Sequence, residues 1–356
     1  MRRIPAGGCV FRGISMALPN VILAGAQKSG TTSLCRFLEK HPHCLVSEPK
    51  EPNFFSRAGN VSRVDRYERC FRAAGIVHRI RVDGSTSYMA DPAVAPRILK
   101  HLGDKVRIIF VLRDPSARAY SGLIHMAKRG HDRRTADEVL LAVPDDPERA
   151  AEAERASVAQ AAASNRIAAR PYRSLYDDVL WNYRYIGNSL YSTLVRSYFD
   201  SFGPDKILVL FFEEITSDVA AARKALGTFL GVDPELFPQV IGQDNRTYRP
   251  DLSTPWGRLI EQARWVKRGN LTLVRPSEIT ASPLRSSAAI QEKLDRIFAS
   301  EVAYWSQYAG HDLRSIGWGR QAAIASVPAA ASELRGGGVA PMSVTDIGSG
   351  ESSPMA

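Results

Sequence analysis

Apolar and polar positions fall in blocks along this chain, and the blocks have two different periods. Near-continuous apolar runs of strand length occupy residues 20–26 (NVILAGA), 106–114 (VRIIFVLRD) and 206–215 (KILVLFFEEI). Each is followed by a helix-like segment. Residues 31–42 carry apolar side chains at Leu34, Phe37 and Leu38 and stop at Pro42; residues 116–129 and 217–231 follow the other two runs. The last of these has an aspartate in its first turn and a glycine at its end. Strands apolar on both faces, alternating with amphipathic helices, predict an α/β fold with a central parallel sheet flanked by helices, a P-loop-like three-layer architecture. Ligands of such sheets bind beyond the carboxyl ends of the strands, where the loops 27–30 and 113–115 emerge.

The pattern fades at both ends. Residues 1–16 show little periodicity and read as a disordered leader; residues 321–356, rich in Ala, Gly, Ser and Pro, read as a disordered tail. One folded domain over residues 17–320 is expected between them. Inside it, the Ala-rich, charged segment 147–170 reads as an exposed helix or a mobile insertion, and 270–287 as a loop-rich part of a substrate rim. No apolar run approaches the roughly 18 residues that span a bilayer, so the expectation is a cytoplasmic chain without stable membrane insertion. Nothing in the pattern sets an oligomeric state.

Charge narrows the ligand. The net charge is +10, and arginine dominates it, 37 residues against 10 lysines. A guanidinium matches phosphate or sulfate with two parallel hydrogen bonds, which suits an anionic ligand; a bias in genome composition is the other reading. The arginines are scattered, without a basic run interleaved with aromatics, so no nucleic-acid partner is expected. The cysteines, Cys9, Cys35, Cys44 and Cys70, lack paired CxxC spacing and read as free thiols. Pro42 between His41 and His43 makes that cluster a helix-ending loop rather than a ligand set, and no metal is expected.

Three stretches carry candidate chemistry. In VILAGAQKSGTTSL (21–34) a strand, a small-residue turn and a helix start aim backbone N–H groups and a positive helix end at one point. Ser29, Thr31, Thr32 and Ser33 add hydroxyls around Gly30, and Lys28 adds a full charge. The nucleotide-hydrolase loop places its lysine after the second glycine with a magnesium-binding hydroxyl next to it; here Lys28 precedes Gly30, which disfavours metal-assisted nucleotide hydrolysis. In VLRDPSARAYSGL (111–123), Arg113 ends a buried strand and Ser121 follows eight residues later, about two helical turns on. This reads as a second anion pocket, or alternatively as a structural Arg–Asp pair. In SEPKEPNFF (47–55) two prolines hold Glu48, Lys50 and Glu51 in an extended loop, where a carboxylate can act as a general base.

Together these residues resemble the sulfotransferase family that uses 3′-phosphoadenosine 5′-phosphosulfate, in its bacterial and heparan-sulfate-type branch. GAQKSGTTSL matches the family's loop for the phosphosulfate end of the donor, LRDPSARAYS its 3′-phosphate motif, and KEPNFF its KEPxFF element. VDGSTSYM (82–89) is similar to a further family segment, with Asp83 as the acidic residue and Thr86 where a proline is typical. The resemblance spans about residues 19–318. It implies that Lys28 contacts the bridging oxygen and 5′-phosphate, that the backbone of 29–33 cradles that phosphate, and that Arg113 and Ser121 hold the 3′-phosphate. It puts Glu51 at the base position, with His125 and Glu48 as alternatives, and Asn53 where the branch often has a histidine. The implied reaction is metal-free sulfuryl transfer to a hydroxyl or amine of a small-molecule, glycan, glycolipid or natural-product acceptor. A small-molecule kinase and a non-catalytic phosphate- or nucleic-acid-binding module are the competing readings.

Overall fold

The computed structural model describes residues 18–168, 176–242 and 287–319. In it the three apolar runs supply three of five strands. They are β1 (Val21–Gly25), β4 (Arg107–Leu112) and β5 (Ile207–Phe211), joined by two short strands, β2 (Cys44–Val46) and β3 (Ile80–Asp83). The sheet order is β2-β3-β1-β4-β5 and every pairing is parallel. Thus β1 is central, with β3 on one side and β4 on the other.

The two faces of the sheet bury alternate residues. Ile22, Ala24, Ile108, Phe110, Val209 and Phe211 share one core cluster, while Val21, Leu23, Ile109, Val111, Leu208 and Leu210 share another. The first is covered by α3 (Val94–Leu102), α6 (Tyr191–Phe202) and the closing helix Ala299–Ala309; the second by α1 (Thr31–Glu39) and α8 (Val219–Leu230). This is the predicted helix–sheet–helix layering, with apolar strands because both faces are dry.

Two expectations change. The run 206–215 does not stay extended: after Phe211 it turns into helix α7 (Phe212–Ser217). Strand pairing ends at Leu112↔Phe211, so there is no ladder to continue, and Glu213 and Glu214 suit the first turn of a helix. Of the two readings of the Ala-rich segment, the helix holds, but one face of it is buried rather than exposed. It forms α5 (Pro147–Ala163), capped by Asp146, whose side chain accepts from Arg149 N, and it buries Ala150, Ala151, Glu154, Val158 and Ala161. Small alanines let this helix approach closely, and Glu154, 1% exposed, accepts from the amides of Ile186 and Gly187 at 2.8 Å each.

The leader, the tail, residues 169–170 and residues 270–286 lie outside the described residues. Among the described ones no helix is long and apolar enough to cross a membrane.

Candidate functional site

The loop between β1 and α1 lies at the carboxyl edge of the sheet. Gly30 begins α1 in the left-handed region, φ +83°, and no side chain caps the helix. The helix start, without an acidic residue in its first turn, leaves donor groups for a ligand. Lys28 also holds a positive φ, +74°, a conformation that side chains other than glycine adopt mostly at constrained sites. Thr32 is half-exposed at the helix start, whereas Thr31 and Ser33 are buried and Ser29 is fully buried beside Tyr191.

Arg113 leaves β4 next to this loop. Its Nη1 donates to the Lys28 carbonyl at 3.4 Å, its guanidinium lies 5.4 Å from the centre of the Phe212 ring, and its Nε is buried without a hydrogen-bond partner among the described residues. Tyr191 donates to the Arg113 carbonyl at 3.0 Å and fixes the backbone there. The next residue is not part of the anion site. Asp114 caps α4 (Pro115–Lys128), accepting from Ala117 N at 2.6 Å through Oδ1 and from Gly319 N at 2.9 Å through Oδ2. Glu213 accepts from Asp114 N at 3.2 Å and from the Trp318 indole at 2.8 Å. The carboxylates beside Arg113 are thus engaged with Trp318 and Gly319 and with backbone amides.

Helix α4 carries the remaining candidate groups on this side of the sheet. His125 Nδ1 stands 3.5 Å from Lys28 Nζ. Ser121, half-exposed, lies one turn earlier on the same helical face. The structure therefore brings Lys28, Arg113 and His125 together and puts Ser121 on the face that meets them. Burial lowers the Lys28 pKa, and Arg129, Arg113, Arg118 and Lys128 lower it further. The charged groups acting most strongly on this lysine are all cations, a field that an anion relieves.

Glu51 occupies the other flank, beyond β3. Its Oε1 pairs with Lys50 Nζ at 2.8 Å and accepts from Thr86 Oγ1 at 3.5 Å, with the carboxylate 37% exposed. The loop is pinned to the end of β3, where Gly84 N donates to the Lys50 carbonyl at 3.1 Å and Ser47 Oγ to the same atom at 2.9 Å. A side chain at Gly84 would stand 2.8 Å from Cys35 Sγ, so only glycine admits this approach. Phe54 and Phe55 are buried in the core. Glu51 is held by Lys50 and Thr86, on the opposite side of β1 from Arg113. Glu48 is exposed at the rim.

Two participants escaped the sequence. Phe212, inside an apparent strand, packs its ring under Arg113 and against Gly30, where an added Cβ would lie 2.6 Å from the ring. Gln27 donates to Asn182 Oδ1 at 2.9 Å, tying the loop to a segment 155 residues away. Nothing in the local pattern announces either contact.

Comparison with known proteins follows this geometry. Residues 18–243 match the model of a family described as the sulfotransferase domain. The bifunctional heparan sulfate N-deacetylase/N-sulfotransferase 3 of Mus musculus is 34% identical over 141 residues, covering 36% of this chain and 16% of that protein. The bifunctional heparan sulfate N-deacetylase/N-sulfotransferase 1 of the same species is 28% identical over 225 residues, covering 60% and 22%. The chain thus spans well under a quarter of the length of these relatives. A crystal structure of a sulfotransferase from Alicyclobacillus acidocaldarius superposes with a TM-score of 0.46 at 25% identity, over 77% of this chain and 99% of that one.

Proposed function

Because the chain belongs to the sulfotransferase domain family, we propose that it transfers the sulfuryl group of 3′-phosphoadenosine 5′-phosphosulfate to a hydroxyl or amine of an acceptor. The donor would supply an activated sulfuryl group on a phosphate leaving group. The observation that carries the reading is the meeting of Lys28 and Arg113 around an uncapped helix start, with a buried guanidinium Nε that has no partner among the described residues. These groups fit a donor with two separated anionic ends. The amides of 29–33 and Lys28 hold the 5′ end and offset charge on the leaving phosphate; Arg113 and Ser121 hold the 3′-phosphate. The engagement of both Asp114 oxygens by backbone amides supports this reading over a magnesium-dependent kinase, whose strand-end carboxylate binds metal.

Glu51 takes the acceptor's proton as the new bond to sulfur forms. Its exposed carboxylate beside Lys50 suits that role. The relatives named for heparan sulfate make a glycan amine or hydroxyl the first acceptor class to try.

Calorimetry with the product 3′-phosphoadenosine 5′-phosphate tests the donor assignment. Binding is expected without magnesium, tighter than AMP, with the preference abolished in Arg113→Ala. Equal affinity for the two nucleotides in the wild type would sink the proposal. Transfer from labelled donor to de-N-sulfated heparan, then to other acceptor classes, tests the chemistry. Glu51→Gln is expected to slow turnover by orders of magnitude and leave product binding intact.

A further inference from the structure

The loop that carries Glu51 hangs from one buried carboxylate. Asp83, fully buried at the end of β3, accepts four hydrogen bonds. Its Oδ1 takes Ser85 N at 2.9 Å and Ser85 Oγ at 2.6 Å. Its Oδ2 takes the hydroxyls of Tyr67 at 2.6 Å and Tyr88 at 2.8 Å. Both acceptor-bound groups reach on into the loop. Ser85 Oγ accepts from Asn53 N at 2.9 Å, and the Tyr88 hydroxyl accepts from Phe55 N at 3.3 Å.

Asn53 completes the chain. It is 6% exposed, with φ +52°, a left-handed conformation that Asn tolerates better than most residues. Its Nδ2 donates to the Glu51 carbonyl at 3.0 Å, and its Oδ1 accepts from Ser87 Oγ at 2.8 Å. Both ends of the side-chain amide, as well as the backbone N–H, are therefore committed inside the protein. At 6% exposure, little of Asn53 is open to a ligand.

We infer that Asn53 is a positioning residue, the last link of an Asp83–Ser85–Asn53 relay that fixes the backbone of Glu51, and that it does not contact the acceptor. The inference rests on the reading of Glu51 as the base. A buried carboxylate holding two tyrosines and a serine is a rigid anchor, because each partner would be left unsatisfied if it moved. Among the described residues, the Glu51 side chain is oriented by a half-buried pair with the adjacent Lys50 and a long contact to Thr86. Its aim depends on the backbone beneath it, and small misplacements of a catalytic group are costly in rate.

The test uses the whole 356-residue chain and Asn53→Gly, which keeps the left-handed backbone accessible and removes both side-chain bonds, with Asn53→Asp as a second variant that keeps the acceptor to Ser87 but not the donor to Glu51. Amide exchange read by mass spectrometry is expected to speed up at least tenfold in residues 51–56 of Asn53→Gly, with residues 26–33 unchanged. On the acceptor found by the labelled-donor screen, kcat is expected to fall at least tenfold with the acceptor KM held, and Asn53→Asp, which also lacks a donor for the Glu51 carbonyl, to fall likewise. Wild-type exchange at 51–56 overturns the relay. So does a raised acceptor KM at unchanged kcat, which would make Asn53 an acceptor contact. Glu51→Gln, run alongside, separates the two ideas. Full turnover in that variant removes the base assignment, whereas a slow Glu51→Gln beside an unimpaired Asn53→Gly removes the relay alone.

Discussion

Gly30 is the position where a single methyl group should do the most harm to the donor site. The substitution Gly30→Ala meets two separate obstacles. Its backbone sits at φ +83°, which costs an L-residue about 1–2 kcal/mol. The new Cβ would also lie 2.6 Å from both Cδ2 and Cε2 of Phe212, so the ring must move, an overpacking cost of about 1–3 kcal/mol. The sum is about 2–5 kcal/mol. It has two outlets. If the loop keeps its shape, the strain appears as lost stability. If the loop or the ring relaxes, the helix start or the Phe212 face beneath Arg113 is displaced, and the strain appears as lost affinity. Urea denaturation and calorimetry with 3′-phosphoadenosine 5′-phosphate together capture both. The expected result is that the two losses add to at least about 2 kcal/mol, which is roughly thirty-fold if all of it falls on binding. Adding Phe212→Ala removes the overlap but not the backbone term, so the double variant should recover only part of the stability. Wild-type stability with wild-type affinity in Gly30→Ala would refute the geometry of this loop.

Other perturbations read other parts of the structure. Burial and neighbouring cations depress the Lys28 pKa, so its charge opposes folding at neutral pH, and the penalty is relieved as pH rises from the depressed value towards 10.5. Lys28→Met should therefore raise the unfolding free energy at pH 7, by less as pH approaches 10.5, while weakening product binding at least tenfold; a destabilised Lys28→Met contradicts this. Burial raises the Glu154 pKa to about 7 from an ordinary 4.5. The folded state then binds more protons between those values, and stability should decline as pH rises across that window, by up to about 3 kcal/mol. Glu154→Gln should flatten the decline, as read from urea midpoints at several pH values. Asp114→Ala leaves the amides of Ala117 and Gly319 without their acceptor and should cost about 1–3 kcal/mol in the same assay.

The grouping of the loop proposed for the donor was legible because its parts are contiguous in the chain. A strand end, a turn and a helix start lie within 21–34, and Arg113 and Ser121 lie on one strand–helix junction, so local pattern and spacing bring them to the sheet edge together. His125 is readable too, one turn beyond Ser121. Phe212 was not, because FF before EEI continues an apolar run, and only the end of the β4–β5 ladder shows that the second Phe has left the strand. The support of Glu51 was hidden for another reason. Asp83 is joined to Tyr67, Ser85 and Tyr88, and through them to Asn53 and Phe55, by contacts spanning up to 33 positions. Hydrogen-bond networks of that kind carry no periodicity. The charged, Ala-rich segment 147–170 gave no sign of its buried face for the same reason, since Glu154 meets the amides of Ile186 and Gly187 more than thirty positions away.

The two halves of the site differ in what they lack, and that difference predicts a footprint. On the proposed donor side, among the described residues, the helix start has no side-chain cap, Arg113 Nε has no partner, and Lys28 sits among cations. Each of these is a free-energy deficit that an anionic ligand removes. On the Glu51 side, Asp83, Ser85, Ser87 and Asn53 already satisfy one another. Binding energy of 3′-phosphoadenosine 5′-phosphate should thus be realised around the first loop and α4, while the base loop is ordered beforehand. Amide exchange in the presence of saturating product should slow strongly at residues 26–33 and 113–129 and change little at 51–56. Comparable protection at 51–56 would mean that the base loop is assembled by the donor. The buried relay would then be insufficient to fix Glu51 on its own.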